Sequence, residues 1–366
     1  LSKATVSTLV SELISEGIVC EDGIGVQLSS AGRRPVKLKL NQRVHLAVGM
    51  ELTGSECVAT LTDLYSDPLN VVRCPMTDSS VETSVDCIVQ SVNQLLDEDD
   101  WARLLGIGIG VPGPVDAARE RVIQAENIGW FDVPLGPMLT KQIGKPVTVV
   151  KRQNAGALGE YWHGIGKGQA NLLYVSVGVG IGCGIIVGGK LFEGINGSAG
   201  EIGHMTIVPD GYRCKCGNFG CLETLASSPA IAVRAREKAK EGQETLLTDW
   251  TNGVLQSVTG HLVIKAASEG DALAIEVIQE AAGYLGIAIA NTINLYNPSM
   301  VIVGGEMMEL GDLFVDPLQE VIRRRSFSIP LAAVEVVPSS LGYRAAAIGA
   351  ATLVIDKFFT LADRVS

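Results

Sequence analysis

One histidine and three cysteines share a single run, EIGHMTIVPDGYRCKCGNFGCLE from Glu201, spaced H-x9-C-x-C-x4-C. A d10 zinc ion prefers four nitrogen or sulfur donors in a tetrahedron. His204, Cys214, Cys216 and Cys221 supply one nitrogen and three sulfurs. The protein would fill all four positions and leave none open for a reactive water, so the expected role is structural zinc that pins a loop. The alternative is three reduced, unliganded cysteines, but the polar, glycine-rich DGYRCKCGNFGC suits buried hydrophobes poorly. Glu201 and Glu223 flank the run, and Asn154 is a further polar candidate. A metal clamp here would bring both carboxylates near one spot. Carboxylates with an imidazole bind hydroxyl groups well, because each hydroxyl can donate to one and accept from another. On spacing alone, Glu201 as a helix cap and Glu223 as a surface acid is the stronger reading.

The elements that must position these groups alternate between strand and helix. HLAVGMEL and CVATLTDL read as strands, followed by a helix over roughly 81–96. The acidic DEDD reads as a solvated loop or helix end, and LLGIGIGVPG as a buried strand entering a Gly-Pro turn. PVTVV is another strand, with NAGALGEYWHG the helix after it. LLYVSVGVGIGCGIIVGGKL reads as two strands around a glycine-rich turn, with GGK a second hairpin turn. SVGVGIGCG could cradle phosphate through backbone N–H groups. It lacks Gly-Lys-Ser/Thr, so it is no P-loop, and a plain hairpin is the simpler reading. Residues 229–241 and 253–297 are mainly helical, MVIVGGEM and AAVEVVPS are strands, and AAAIGAATLVIDKFF is a last helix. Strand–helix alternation implies parallel sheets, with ligands beyond the strands' C-terminal ends.

The front is different. LSKATVSTLVSELISEG places Val6, Leu9, Val10, Leu13 and Ile14 on one helical face, with Ser2 as N-cap and Gly17 as stop. Ala4, Thr5, Ser7, Thr8 and Ser11 face the other way. IVCE and VKLKLN follow as a β-hairpin with Arg33 and Arg34 at its base. One helix and a hairpin cannot bury a core alone, so this segment reads as part of a larger domain.

At 366 residues, two or three domains are expected. Hydrophobic residues make up 47%, aromatics only 5%, and there are 42 glycines: an aliphatic core of buried parallel strands. No apolar run reads as a membrane span and no leader opens the chain, so a cytoplasmic location is expected. Eight cysteines then argue against a disulfide framework, and Cys20, Cys57, Cys74, Cys87 and Cys183 read as scattered small apolar residues. The net charge of −11 is uneven. Residues 1–44 hold six Lys/Arg against four Asp/Glu, and the remainder 23 against 36. An acidic body repels nucleic acid, so any DNA contact falls to the first forty residues.

These residues together resemble the ROK family, which groups bacterial sugar-responsive repressors with sugar kinases on an actin/hexokinase-like (ribonuclease H-like) two-lobe α/β fold. The carriers run end to end: LSKATVSTLVSELISEG, AGRRPVKLKLN, GIGVPGPVD, NIGW, NAGALGE, SVGVGIGCG, GEIGH, CKCGNFGCLE, IANTINLYNPSMVIVGG and AAAIGAA. The resemblance implies a structural zinc and sugar-hydroxyl contacts at Asn127, Asn154, Glu201, His204 and Glu223. His204 would bind zinc with one nitrogen and face the sugar with the other. Two departures stand out. Family kinases carry N-D-A-N-A-A-A-L-G-E with the Asp as general base, whereas this chain has KRQNAGALGE, with Arg152 at that position. Guanidinium cannot take a proton. Kinases also carry a D-x-G-G-T phosphate loop near the first strand; here it reads GMELTGSEC, with Glu51 at the Asp and only Gly54 left of the glycine pair. The front resembles the back half of a winged helix-turn-helix, whose recognition helix would offer Lys3, Thr5, Ser7 and Thr8 to DNA. Arg33 and Arg34 would form a minor-groove arm or a solvated linker.

The expectation is a sugar-responsive repressor with a degenerate, non-catalytic kinase-like cleft; the alternatives are an active sugar kinase with an altered site and a zinc-bearing module for a protein partner. Expected partners are operator DNA, a small sugar and a second copy, as homodimer or tetramer, and no membrane. Residues 1–40 would be the partial DNA-binding domain. Residues 41–153 with 345–366 would form the smaller lobe, and 154–344 the larger lobe with the zinc and an oligomer interface.

Overall fold

The computed structural model describes residues 2–24 and 36–362; Arg33 and Arg34 lie outside them. Helix α1 (Lys3–Ser15) starts at Ser2, whose side chain accepts from the Thr5 N–H. Strands β1 (Val19–Ile24) and β2 (Val36–Leu40) pair antiparallel, as expected. No residue of α1 is buried, and Val6, Leu9, Leu13 and Ile14 are each 38–44% exposed. The apolar stripe read from the sequence is present, with no cover among the described residues.

The first of two five-stranded sheets holds β3 (Leu46–Leu52), β4 (Glu56–Thr62), β5 (Pro68–Pro75), β6 (Leu104–Val111) and β9 (Val147–Lys151) in the order β5-β4-β3-β6-β9. Between β5 and β6 run α2 (Val81–Leu95) and α3 (Glu98–Arg103). The acidic run read as loop or helix end is α3, closed by a capping box between Asp97 and Asp100. The small hairpin β7 (Val122–Ala125) and β8 (Trp130–Val133) precedes α4 (Leu135–Ile143). β5 was not expected: its pattern is mostly exposed, as for the outer strand it is.

Helix α5 (Arg152–His163) then leads to the second sheet. It contains β10 (Leu172–Val177), β11 (Ile181–Val187), β12 (Lys190–Leu191), β13 (Met300–Gly304) and β14 (Glu335–Pro338), ordered β12-β11-β10-β13-β14. Inserted are α6 (Glu223–Ala226), α7 (Ser228–Lys240), α8 (Leu246–Trp250), α9 (Gly260–Ser268) and α10 (Ala272–Tyr296). α11 (Asp312–Arg325) and α12 (Ser328–Ala333) connect β13 to β14, and α13 (Ala345–Ala362) closes the chain. Contrary to the sequence reading, one helix, α10, is long and apolar enough by composition to cross a membrane. Its inner face packs into the largest core cluster with Val175, Val303 and Phe314, which is what such a helix does in a soluble core.

The glycines of β6 explain how the sheets are joined. Ile107, Ile109 and Val111 face the first core. Gly106, Gly108 and Gly110 face the other way, where a Cβ on Gly108 would sit 2.0 Å from the Ala350 carbonyl oxygen. Gly49 on β3 is crowded in the same way by Ala347, Gly159 on α5 by Ala345, and Gly349 on α13 by Ala155. The small residues of AAAIGAA and NAGALGE therefore let α13 lie against β3, β6 and α5 at backbone distance. α5 also packs on β10 and β11, so it bridges both sheets. The 153/154 boundary read from the sequence falls inside this bridging helix.

Candidate functional site

A cavity of about 770 Å³ opens between the sheets, beyond the C-terminal ends of β6 and β9. Such a crevice is where an α/β fold takes its ligand. Asn127, from the β7–β8 turn, lines this cavity together with Glu201, His204 and Glu223. Lys151, Arg152 and Gln153 form the floor where β9 runs into α5. Asn154 does not line the cavity. Its side chain is buried, with Nδ2 donating to Glu193 at 3.5 Å and Oδ1 without a partner.

The donor atoms of His204, Cys214, Cys216 and Cys221 all lie within 4.8 Å of one another. Cys216 Sγ is 3.8 Å from Cys221 Sγ, and Cys214 Sγ is 3.7 Å from His204 Nδ1. A tetrahedral zinc with bonds of about 2.3 Å to sulfur has edges of about 3.8 Å, so the four donors fit the ion. Burial and then the neighbouring thiols push the Cys221 thiol up, a cost that a divalent cation at the centre would offset. With Nδ1 turned to the cysteines, Nε2 is the ring atom left for the cavity.

Each carboxylate is held by a specific partner. Lys151, 3% exposed at its side chain, places Nζ 2.5 Å from Glu201 Oε1 and 2.9 Å from the Ala199 carbonyl. Glu201 is not a side-chain cap of the short 3-10 turn it precedes. Glu223 opens α6, and its Oε2 accepts from the Ile181 N–H at 3.2 Å. That bond ties the glycine-rich β10–β11 turn to the segment that carries the His/Cys cluster. A Cβ at Gly180 would meet the same carboxylate oxygen at 2.9 Å, so a side chain there would push Glu223 aside. The turn is thus the plain hairpin, and Glu223 already takes the Ile181 N–H that a phosphate cradle would offer.

At the floor, Arg152 Nη1 lies 3.6 Å from Glu51 Oε1, with side chains 11% and 16% exposed. Arg152 also donates to the Gly180 carbonyl at 3.4 Å. Burial pushes the Glu51 carboxyl above its ordinary value, and the Arg152 charge opposes that. The two positions where the chain departs from the kinase pattern are therefore neighbours in space. Sequence reasoning treated them as separate losses. The sequence reading also missed Arg213, Lys215, Arg234 and Tyr284, which line the cavity; the interleaving R-C-K-C was the one available signal. Lys3, Thr5, Ser7 and Thr8 are all exposed on the first two turns of α1, far along the chain from this cavity.

The two-lobe α/β frame, the zinc-type cluster and the cleft between sheets are those of the ROK family. The chain belongs to it, matching the family over residues 47–357. It is 37% identical to the xylose repressor of Caldicellulosiruptor bescii, over 99% of this chain and 91% of that protein. Among solved structures, it resembles a ROK family transcriptional regulator described as a homologue of the E. coli MLC protein, with TM-score 0.80 and 27% identity, over 98% of this chain and 89% of that one. It also resembles a ROK family glucokinase from Streptomyces griseus in complex with glucose and AMPPNP, with TM-score 0.77 and 33% identity, over 84% of this chain and 98% of the kinase.

Proposed function

We propose that this chain is a sugar-responsive transcriptional repressor whose kinase-like cleft binds a sugar without phosphorylating it. The observation that carries this reading is the Arg152–Glu51 pair. Arg152 stands where the kinase pattern needs a general base, and a guanidinium accepts no proton. Its charge is spent on a carboxylate at the position where the phosphate loop begins. The cation and the anion neutralise each other where a nucleotide phosphate and its metal would need free charges.

The cleft keeps what a sugar needs. Asn127, Glu201, His204 and Glu223 surround one cavity, and Gln153 Oε1 in its floor has no hydrogen-bond partner. Asn154 acts from beneath, through Glu193. Zinc on His204, Cys214, Cys216 and Cys221 holds the imidazole and the Glu223 wall in place. Operator DNA is bound by Lys3, Thr5, Ser7 and Thr8 of a winged helix-turn-helix to which α1 and the β1–β2 hairpin contribute, with Arg33 and Arg34 as its arm. Residues 41–153 with 345–366 and residues 154–344 act as the two lobes, and sugar shifts their arrangement by binding one arrangement more tightly. A homodimer or tetramer matches a two-fold operator. Likeness to a named xylose repressor over nearly the whole chain supports this reading.

The glucokinase likeness supports the second reading, an active sugar kinase with an altered site. Calorimetric titration with xylose, glucose and N-acetylglucosamine, beside DNA binding with and without each, tests the first. A sugar that binds the cleft and changes DNA affinity is expected. DNA binding that no cleft-bound sugar alters refutes it.

A further inference from the structure

Three of the five cysteines outside the zinc run converge in the first lobe, although the sequence scatters them. Cys57 on β4 and Cys74 on β5 are direct cross-strand partners, so both side chains point to one face of the sheet. α2 packs on that face and brings Cys87, whose Sγ lies 3.3 Å from the Cys74 carbonyl oxygen. We propose that Cys87 and Cys74 form an oxidant-sensitive dithiol, in which peroxide converts Cys87 to a sulfenic acid and Cys74 closes it to a disulfide. The site is independent of the sugar cleft.

The three thiols have different standing. Beside the Cys57 thiol, which is itself pushed up, Cys87 is drawn below its ordinary value. A thiolate is the form that attacks an oxidant. Cys74 is pushed up to about 11, chiefly by burial, and stays a thiol until it is called on to resolve. It is also the one of the three that is only partly buried, so it marks the way in for a small oxidant. Cys57 is the poorer resolving partner on two counts. It is 0% exposed, and its strand is held by ladders on both sides. β5 is the outer strand, bonded on one side only, so it can shift more easily than β4 to meet the Cβ spacing a disulfide demands.

The chemistry balances with hydrogen peroxide as oxidant. The Cys87 thiolate attacks the O–O bond, an S–O bond forms, and hydroxide leaves. The Cys74 sulfur then attacks Cys87 sulfur, the S–S bond forms, the S–O bond breaks, and the thiol proton leaves with the hydroxyl as water.

The test uses the full, zinc-loaded chain. It is treated with hydrogen peroxide, its free thiols are alkylated without reductant, and it is cut with trypsin and a glutamate-specific protease, which separate Cys57 from Cys74 at Arg73 and Cys74 from Cys87 at Glu82. Expected is a linked peptide pair carrying Cys74 and Cys87, formed while Cys214, Cys216 and Cys221 are still alkylated. C74S should instead leave a Cys87 sulfenic acid that dimedone captures. C57A should slow linkage at neutral pH, because Cys87 returns toward an ordinary thiol. The wild-type result decides even where a variant folds poorly. Absence of the linked pair while the zinc cysteines oxidise overturns the proposal, as does Cys87 linked to Cys57 as the main product.

Discussion

Replacing Arg152 by alanine should destabilise the protein, and by an amount that depends on pH. The substitution strips Glu51 of its cation partner while leaving its carboxylate 16% exposed at the floor of the cleft. Breaking a fully buried pair from one side costs about 3–5 kcal/mol. The separation of 3.6 Å and the residual exposure of both groups reduce this to about 2 kcal/mol. For a lobe of this size that is about 4–8 °C in Tm. The sign of the pH effect follows from Glu51. Its folded value is raised by burial, so its contribution to stability is fully present below its unfolded value and is lost as pH rises through the folded one. Removing Arg152 raises the folded value further and widens that window upward. Thermal unfolding of R152A against wild type should therefore show a larger deficit at pH 8 than at pH 5. Glu51→Gln in the R152A background removes the stranded charge and should recover most of the loss. A double variant no more stable than R152A at pH 8, or a deficit that does not change with pH, would refute the pairing.

Cys216→Ser, or prolonged chelation, should lower Tm by at least about 5 °C and abolish sugar binding, because His204 and Glu223 lose their common anchor; unchanged binding in a metal-free sample, checked by atomic absorption, contradicts the structural role. Lys151→Met should weaken sugar binding about tenfold, the value of one charged hydrogen bond that orients Glu201, as read by calorimetry. Gly108→Ala drives a Cβ into the Ala350 carbonyl and should cost about 3 kcal/mol in chemical unfolding, the upper end of overpacking; a near-neutral result would mean α13 does not sit at backbone distance.

Much of this was legible in the chain because local patterns decided it. The apolar stripe of α1, the buried run of β6 and the zinc spacing each carry their own signal, and the structure follows them. What was hidden depended on partners distant in sequence. β5 lacks a hydrophobic alternation because it is an outer strand. Gly108 reads as a strand glycine, but its purpose is fixed by a helix some 240 residues later. Glu51 and Arg152 were each visible as departures, yet only the parallel pairing of β3 with β6 and β6 with β9 makes them face each other. Cys57, Cys74 and Cys87 read as isolated for the same reason. Lys151 carries no sequence signal of its own, and its bond to Glu201 needed the fold to appear.

The central claim is that this cleft binds sugar without transferring phosphate. Its most direct test is ADP formation from ATP and magnesium over a panel of pentoses, hexoses and N-acetylhexosamines, with R152D run beside the wild type. No sugar-dependent ADP above background in the wild type is the predicted result, with binding of at least one of the sugars seen in parallel by thermal shift. Sugar-dependent turnover by the wild-type protein would contradict it and make the chain a kinase.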